Sequence, residues 1–387
     1  MVPPLNAQVF SLPLETTWSQ SNRIFGLGDD LSDALVANRP LKEWSPAIAP
    51  PADPVTGPCF LVAPDLWVSP QMWSNFSVLA RQQNDIVQLA CAASGPCGLA
   101  DPLRRIPRDA EGRLRFQLFF VPENVQVSLT DHETLAAARG MDVTGIVRTF
   151  RIPVDPNMGH DGHIELQWSN TLCSPVAHWS ELLRTNLLAI GCLSLSTPPM
   201  RRLVRFLAAA VRAMSFNMDR IRKHLNTIGK DCRIHPSAIV EGCRISDGVE
   251  IGPGAIVRGC VVGPHARIES QAICDLSVIA EHATIQRRAM VNVSVVYPKA
   301  RVGGILQFGL AGKESTSKLM AVGTDMRLQG PVRVETPSGL TEVDLGYQGV
   351  CFGPQSFVGS GVWIAPGRVI PRGAQIARPP EAMVLKP

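Results

Sequence analysis

The chain of 387 residues carries 37 Lys and Arg against 33 Asp and Glu, a formal charge of +4, and is 45% hydrophobic. That balance excludes a disordered polyelectrolyte and a polycationic nucleic-acid wrapper. At roughly 150 residues per domain, the length predicts two or three compact units with ample core.

No apolar run approaches the ~18 residues of a membrane span, and the opening MVPPLNAQVFSLPLETTW lacks a basic stretch followed by an apolar one. The ten cysteines include no C-x-x-C, which argues against zinc and for reduced core thiols in a cytoplasmic protein. Lysine is scarce: before Lys223 only Lys42 occurs.

Composition divides the chain at about 175 and 226. In the first segment, residues 1–175, CFLVAP (59–64) reads as a buried strand. PQMWSNFSVLARQQ follows with helical spacing at Met72, Phe76 and Leu79, and DIVQLACA is strand-like again. RLRFQLFFVP (113–122) adds a strand, and LTDHETLAAARG a short helix opening at Thr130 or Asp131. An α/β domain follows. HDGH (160–163) offers two histidines without a third ligand, the composition of a solvated loop.

The second segment, 176–226, reads as a helical linker of two helices. In VAHWSELLRTNLLAIG, the residues Trp179, Leu182, Leu183, Leu187 and Ile190 keep helical spacing, and Gly191 reads as a stop. The second helix, MRRLVRFLAAAVRAMSFNMDRIRKHLN, carries Arg201, Arg202, Arg205, Arg212, Arg220, Arg222 and Lys223 against Asp219 alone. Peripheral membrane contact through residues 200–225 is one reading of such a basic amphipathic helix. The blander one is a connector whose arginines are solvated or paired to the first domain.

The third segment, 227–387, is an internal repeat. From Ile228 the units run six, six and five residues, so Ile228, Ile245, Val262, Ile279 and Val296 lie 17 apart. Ile234, Ile251, Ile268, Ile285 and Val302 form a second column, and Val240, Val257, Cys274 and Val291 a third. Three inward columns describe a three-sided prism whose coils stack at strand spacing, about 4.8 Å. Small residues such as Ala238, Ala255, Ala266 and Ala272 fill its corners. Regularity fails after Phe308, so an irregular excursion is expected at 309–345, with a hairpin around Pro337-Ser338-Gly339. The repeat returns at Phe352, Val358, Ile364 and Ile370.

This [LIV]-G-x-x-[STAV]-x pattern resembles the hexapeptide-transferase family, which implies a left-handed parallel β-helix, an exception to the usual crossover hand. In its order of parts the whole chain resembles bifunctional sugar nucleotidyltransferases such as the N-acetylglucosamine-1-phosphate uridyltransferases. NRPLKEW (38–44) is similar to that family's G-x-P-L-[LI]-x-[WH] segment. FLVAPDLWVSPQMW (60–73) is similar to its nucleotide-following strand and loop, which makes Asp65 the carried-over substrate-binding position. The family's G-x-G-T-R phosphate loop is missing. Gly26 and Gly28 in RIFGLGDD are followed by Asp29 and Asp30, which would repel a triphosphate unless Mg²⁺ intervened. The expectation is a domain that binds a nucleotide sugar without transferring a nucleotidyl group, Mg²⁺ being needed only if that transfer is retained.

The resemblance also implies a histidine general base in a cleft between subunits of a homotrimer, so His265 and His282, 17 apart, are the catalytic candidates. Both occupy the fourth hexad position, shared with Asp231, Gly248 and Lys299, a mixture that marks a turn column needing left-handed backbone. Lys313 and Lys318 in the excursion are placed to meet a CoA phosphate, and Tyr297 and Tyr347 either stack on a ligand or pack corners. Two functions remain open. One is a transferase of sugar-nucleotide metabolism, most directly acyl-CoA-dependent acyl transfer to an amino or hydroxyl sugar. The other is a non-catalytic trimeric scaffold or binding protein.

Overall fold

The computed structural model describes residues 8–12, 23–44, 53–153, 163–327, 329–344 and 346–379. The α/β unit is built on a five-stranded mixed sheet. Its strands are β1 (Gln8–Ser11), β2 (Cys59–Val62), β3 (Val87–Ala92), β4 (Arg113–Val121) and β5 (Arg139–Asp142), in the order β1-β2-β4-β3-β5. Helix α1 (Pro70–Ala80) connects β2 to β3, and β4 lies antiparallel between them. Ser69 caps α1 by accepting from Met72 N–H, and Pro70 at the first helical position lacks only an N–H the helix could not use. Phe60, Trp67, Trp73, Phe76 and Phe116 are fully buried here, each worth about 1.5–3 kcal/mol relative to exposure. Asp131 caps the short helix His132–Ala137 through Thr134 N–H.

Helix α2 (Trp179–Leu195) is part of this core rather than a connector: every residue from Trp179 to Cys192 is buried. Gly191 does not end it. A Cβ there would lie 2.1 Å from the Trp168 ring, so Gly191 admits a tryptophan against the helix. Helices α3 (Pro199–Ala213) and α4 (Met218–Arg222) carry the chain onward. They meet each other through Ala209, Ala210 and Ile221.

From Thr227 the chain winds as a parallel three-sided β-helix with sides of eight, eight and seven strands. Ile228 pairs with Ile245, Ile234 with Ile251, and Val240 with Val257, the spacing of 17 read from the sequence. Asp231, Gly248, His265, His282 and Lys299, the fourth-position column, all have φ between 54° and 68°, which is the left-handed corner. At Gly303-Gly304 one coil shortens and Met290 pairs with Ile305. Gly304 has φ 93°, and a Cβ there would sit 2.1 Å from the Ala321 carbonyl oxygen.

The prism does not break at 309. Leu310–Ala311, Thr316–Ser317 and Val322–Gly323 complete a further coil, and the excursion runs from about 324 to 350. The coil escapes pattern-reading because its inward residues Ala311, Ser317 and Gly323 are small, with Ser317 Oγ bonded to Gly303 and Val350 filling the space over Gly323. The excursion holds the hairpin β6 (Arg333–Thr336) and β7 (Gly339–Glu342).

One hydrophobic core spans the α/β unit and the first side of the prism, taking in Val278, Val295, Tyr297, Leu310 and Cys351. The third corner column changes to suit. Gly242 and Gly259 give way to Leu276, Val293 and Phe308, which keep φ between 45° and 49° while packing on that shared core. A left-handed non-glycine residue costs about 1–2 kcal/mol, which apolar burial offsets. Asn38 donates to the Val261 and Ile279 carbonyls, and Leu35 N–H to Tyr297 Oη at 3.1 Å, so NRPLKEW docks the two units.

Candidate functional site: a cleft between the two units

The RIFGLGDD turn runs beside the start of α2. Phe25 N–H donates to Ala177 O and Trp179 N–H to Phe25 O, and the Phe25 ring stacks on His178 at 5.3 Å. Gly26, at φ 91°, lies under Trp179, where a Cβ would be 2.6 Å from the indole. Gly26 therefore serves a packed turn, and Asp29 is held by Arg372 at 2.7 Å.

His178 caps α2. Its Nδ1 accepts from Ser180 N–H, and the Glu181 carboxylate accepts from His178 N–H, a reciprocal capping box. With Nδ1 accepting, Nε2 carries the proton and donates to Glu335 O at 2.9 Å, on the hairpin. Burial lowers the His178 pKa to about 4, which keeps the ring neutral. Glu181 is fully buried, and desolvation raises it to about 7 against the pull of a bidentate pair with Arg105 (2.7 and 2.8 Å). A second buried pair, Arg184 to Asp344 at 3.2 Å, fixes the far end of the hairpin to α2.

The hairpin thereby roofs a cleft of about 660 Å³. Its floor is Phe25, Gly26 and His178. Arg23 and Arg105 supply positive charge, and Thr336, Ser338 and Thr341 supply hydroxyls. A neighbouring cavity of about 670 Å³ shares Arg23 and Gly28, and is lined further by Asp29, Asp33, Glu281, Lys299 and Lys313. Guanidinium groups beside hydroxyls on an apolar floor suit an anionic, hydroxyl-rich small molecule.

The expected site residues do not converge. Asp65 is buried in the α/β core, its carbonyl accepting from Val176 N–H. His265 and His282 stack at 5.2 Å on an exposed prism corner. Lys313 lines the second cavity, while Lys318 leans over Phe357, and both belong to the regular coil rather than the excursion. Tyr297 is interface core and Tyr347 stacks on Phe308. His160 lies outside the described residues, and His163 opens a strand, 4.0 Å from Glu165. Asp29 and Asp33 are engaged by Arg372 and Lys42, a poor fit for Mg²⁺, and among the described residues no group of three or more potential ligands is placed to hold a metal. Sequence reasoning missed Arg105, His178 and Glu181, although His178-x-x-Glu181 ahead of an apolar run has capping-box spacing.

Residues 223–306 match the family model described as the GMPPB C-terminal domain. Over these residues the β-helix is similar to the C-terminal domain of a hexapeptide-repeat, sugar-nucleotidyltransferase-like family. A solved Bacillus cereus structure assigned as an acetyltransferase is similar over 37% of this chain and 79% of its own, at 15% identity and a TM-score of 0.14. No curated protein matches the chain. The family match covers the first coils of the hexapeptide repeat and ends before the excursion, so the hairpin and the cleft it roofs lie outside it.

Proposed function

We propose that this transferase-like protein binds a nucleotide sugar in the cleft between its α/β unit and the hairpin, and that its α/β unit does not carry out nucleotidyl transfer. The observation that carries the reading is the lining itself, Arg23 for phosphate beside the Arg105–Glu181 pair, with Thr336, Ser338 and Thr341 for sugar hydroxyls. Against nucleotidyl transfer stands the RIFGLGDD turn, whose Gly26 accommodates Trp179 and whose Asp29 is paired with Arg372. His178 is locked between Ser180 and Glu335, so it orients the roof and is poorly suited to move a proton.

Acyl transfer from an acyl-CoA to a sugar is the second reading, favoured by Lys299 and Lys313 in the cavity beside Glu281. It assigns His282 or His265 as general base and needs a homotrimer to build a cleft over the exposed corner. The test is a thermal-shift screen of UDP- and GDP-sugars, acetyl-CoA and longer acyl-CoAs, since a ligand at 100 times its Kd adds about 2.7 kcal/mol. A shift with nucleotide sugars supports the first reading and a shift with acyl-CoA alone the second. No shift with either refutes both.

A further inference from the structure

The most exposed apolar surface lies on α3 and the turn after it. Met200, Leu203, Val204, Leu207 and Val211 recur at i, i+3, i+4, i+7 and i+11, the stripe a helix normally turns inward, yet each is 49–76% exposed. Met214, in the left-handed C-cap, and Phe216 extend it at 91% and 86%. The helix seats itself on its neighbours by a different face, through Phe206, Ala209 and Ala210. The connector role foreseen for this helix leaves its apolar stripe without a covering element among the described residues.

Charge decides what covers it. No acidic residue occurs between Thr197 and Met218, whereas exposed Arg201 and Arg212 line one flank of the stripe, with Arg205 beyond them donating to Leu225 O and Thr227 Oγ1. A second copy of this helix would bring a second set of arginines with no carboxylate to meet them. An anionic lipid surface supplies both what the arginines lack and what the apolar side chains need, because long cationic side chains keep their heads among lipid phosphates while the stripe enters the acyl boundary. No described helix is long and apolar enough to cross a membrane, so α3 would lie in the surface plane.

We propose that α3 with its C-terminal turn, Pro199–Met218, is a docking surface for an anionic membrane. The test is flotation of the full chain with phosphatidylcholine vesicles containing about a third phosphatidylserine, against pure phosphatidylcholine. Binding is expected to the anionic vesicles, to weaken strongly in about 1 M salt, where charges are screened within about 3 Å, and to fall at least tenfold in Leu207→Glu and Val211→Glu. Both positions are solvent-facing, so the variants should fold, which circular dichroism verifies. Failure to float with the anionic vesicles, or unchanged binding in both variants, overturns the proposal. A fall in oligomer mass in Leu207→Glu without vesicle binding overturns it in favour of self-association.

Discussion

Replacing Glu181 by Gln isolates the charge that burial makes costly. In the folded protein its carboxyl is raised from 4.5 to about 7, so the folded state holds a proton that the unfolded chain releases. Such a group contributes stability below pH 4.5 and loses it as pH rises through 7. The span is about 2.5 pH units, which at about 1.4 kcal/mol per unit is an upper bound of about 3 kcal/mol. His178 runs the other way: lowered to about 4, it contributes above pH 6.5 and loses that stability as pH falls through 4. Its effect is common to both proteins and cancels in their difference. Urea unfolding at several pH values should therefore show the stability of wild type relative to Glu181→Gln falling by up to about 3 kcal/mol between pH 4.5 and 7. A difference that stays flat, or that rises with pH, refutes the assignment of a desolvated carboxyl and leaves the Arg105 pair as the governing interaction.

Other outcomes follow from single contacts. Tyr297→Phe removes the acceptor of the half-buried Leu35 N–H and should cost about 1 kcal/mol in urea unfolding. Asn38→Ala removes two donations to prism carbonyls at a left-handed residue (φ 64°), and should open the junction of the two units to limited proteolysis faster than Asn38→Gly, which loses the same bonds but adopts that backbone without strain. Gly26→Ala, at φ 91° and 2.6 Å from Trp179, should lower the melting temperature and abolish any thermal shift from cleft ligands. His265→Ala and His282→Ala should leave nucleotide-sugar binding unchanged. Loss of a measured acyl transfer in either variant would instead support the second reading.

The prism was legible because its physics is periodic: one inward aliphatic residue per side and one left-handed corner per turn repeat until chance is excluded. Where the pattern was misread, side chains had changed roles. Ala311, Ser317 and Gly323 keep the coil while hiding its hydrophobic signature, and Leu276 and Val293 stand where a free prism would have Gly. Gly191 illustrates the same limit in a helix, since a glycine that makes room for Trp168 looks in sequence like one that ends the element. The cleft was least legible. Arg105, His178 and the hairpin hydroxyls are separated by up to hundreds of residues and meet only because α2 packs against the prism side that carries the excursion. The sequence did place the hairpin at Pro337-Ser338-Gly339, and with it the roof of the cleft.

The measurement that tests the central claim most directly is calorimetric titration of UDP- and GDP-sugars into wild type and Ser338→Trp, whose indole at the exposed hairpin tip would occupy the cleft without touching the core. The account predicts saturable binding to wild type and at least a tenfold weaker affinity in the variant. Equal affinity in both proteins, or no heat with any nucleotide sugar, would contradict it.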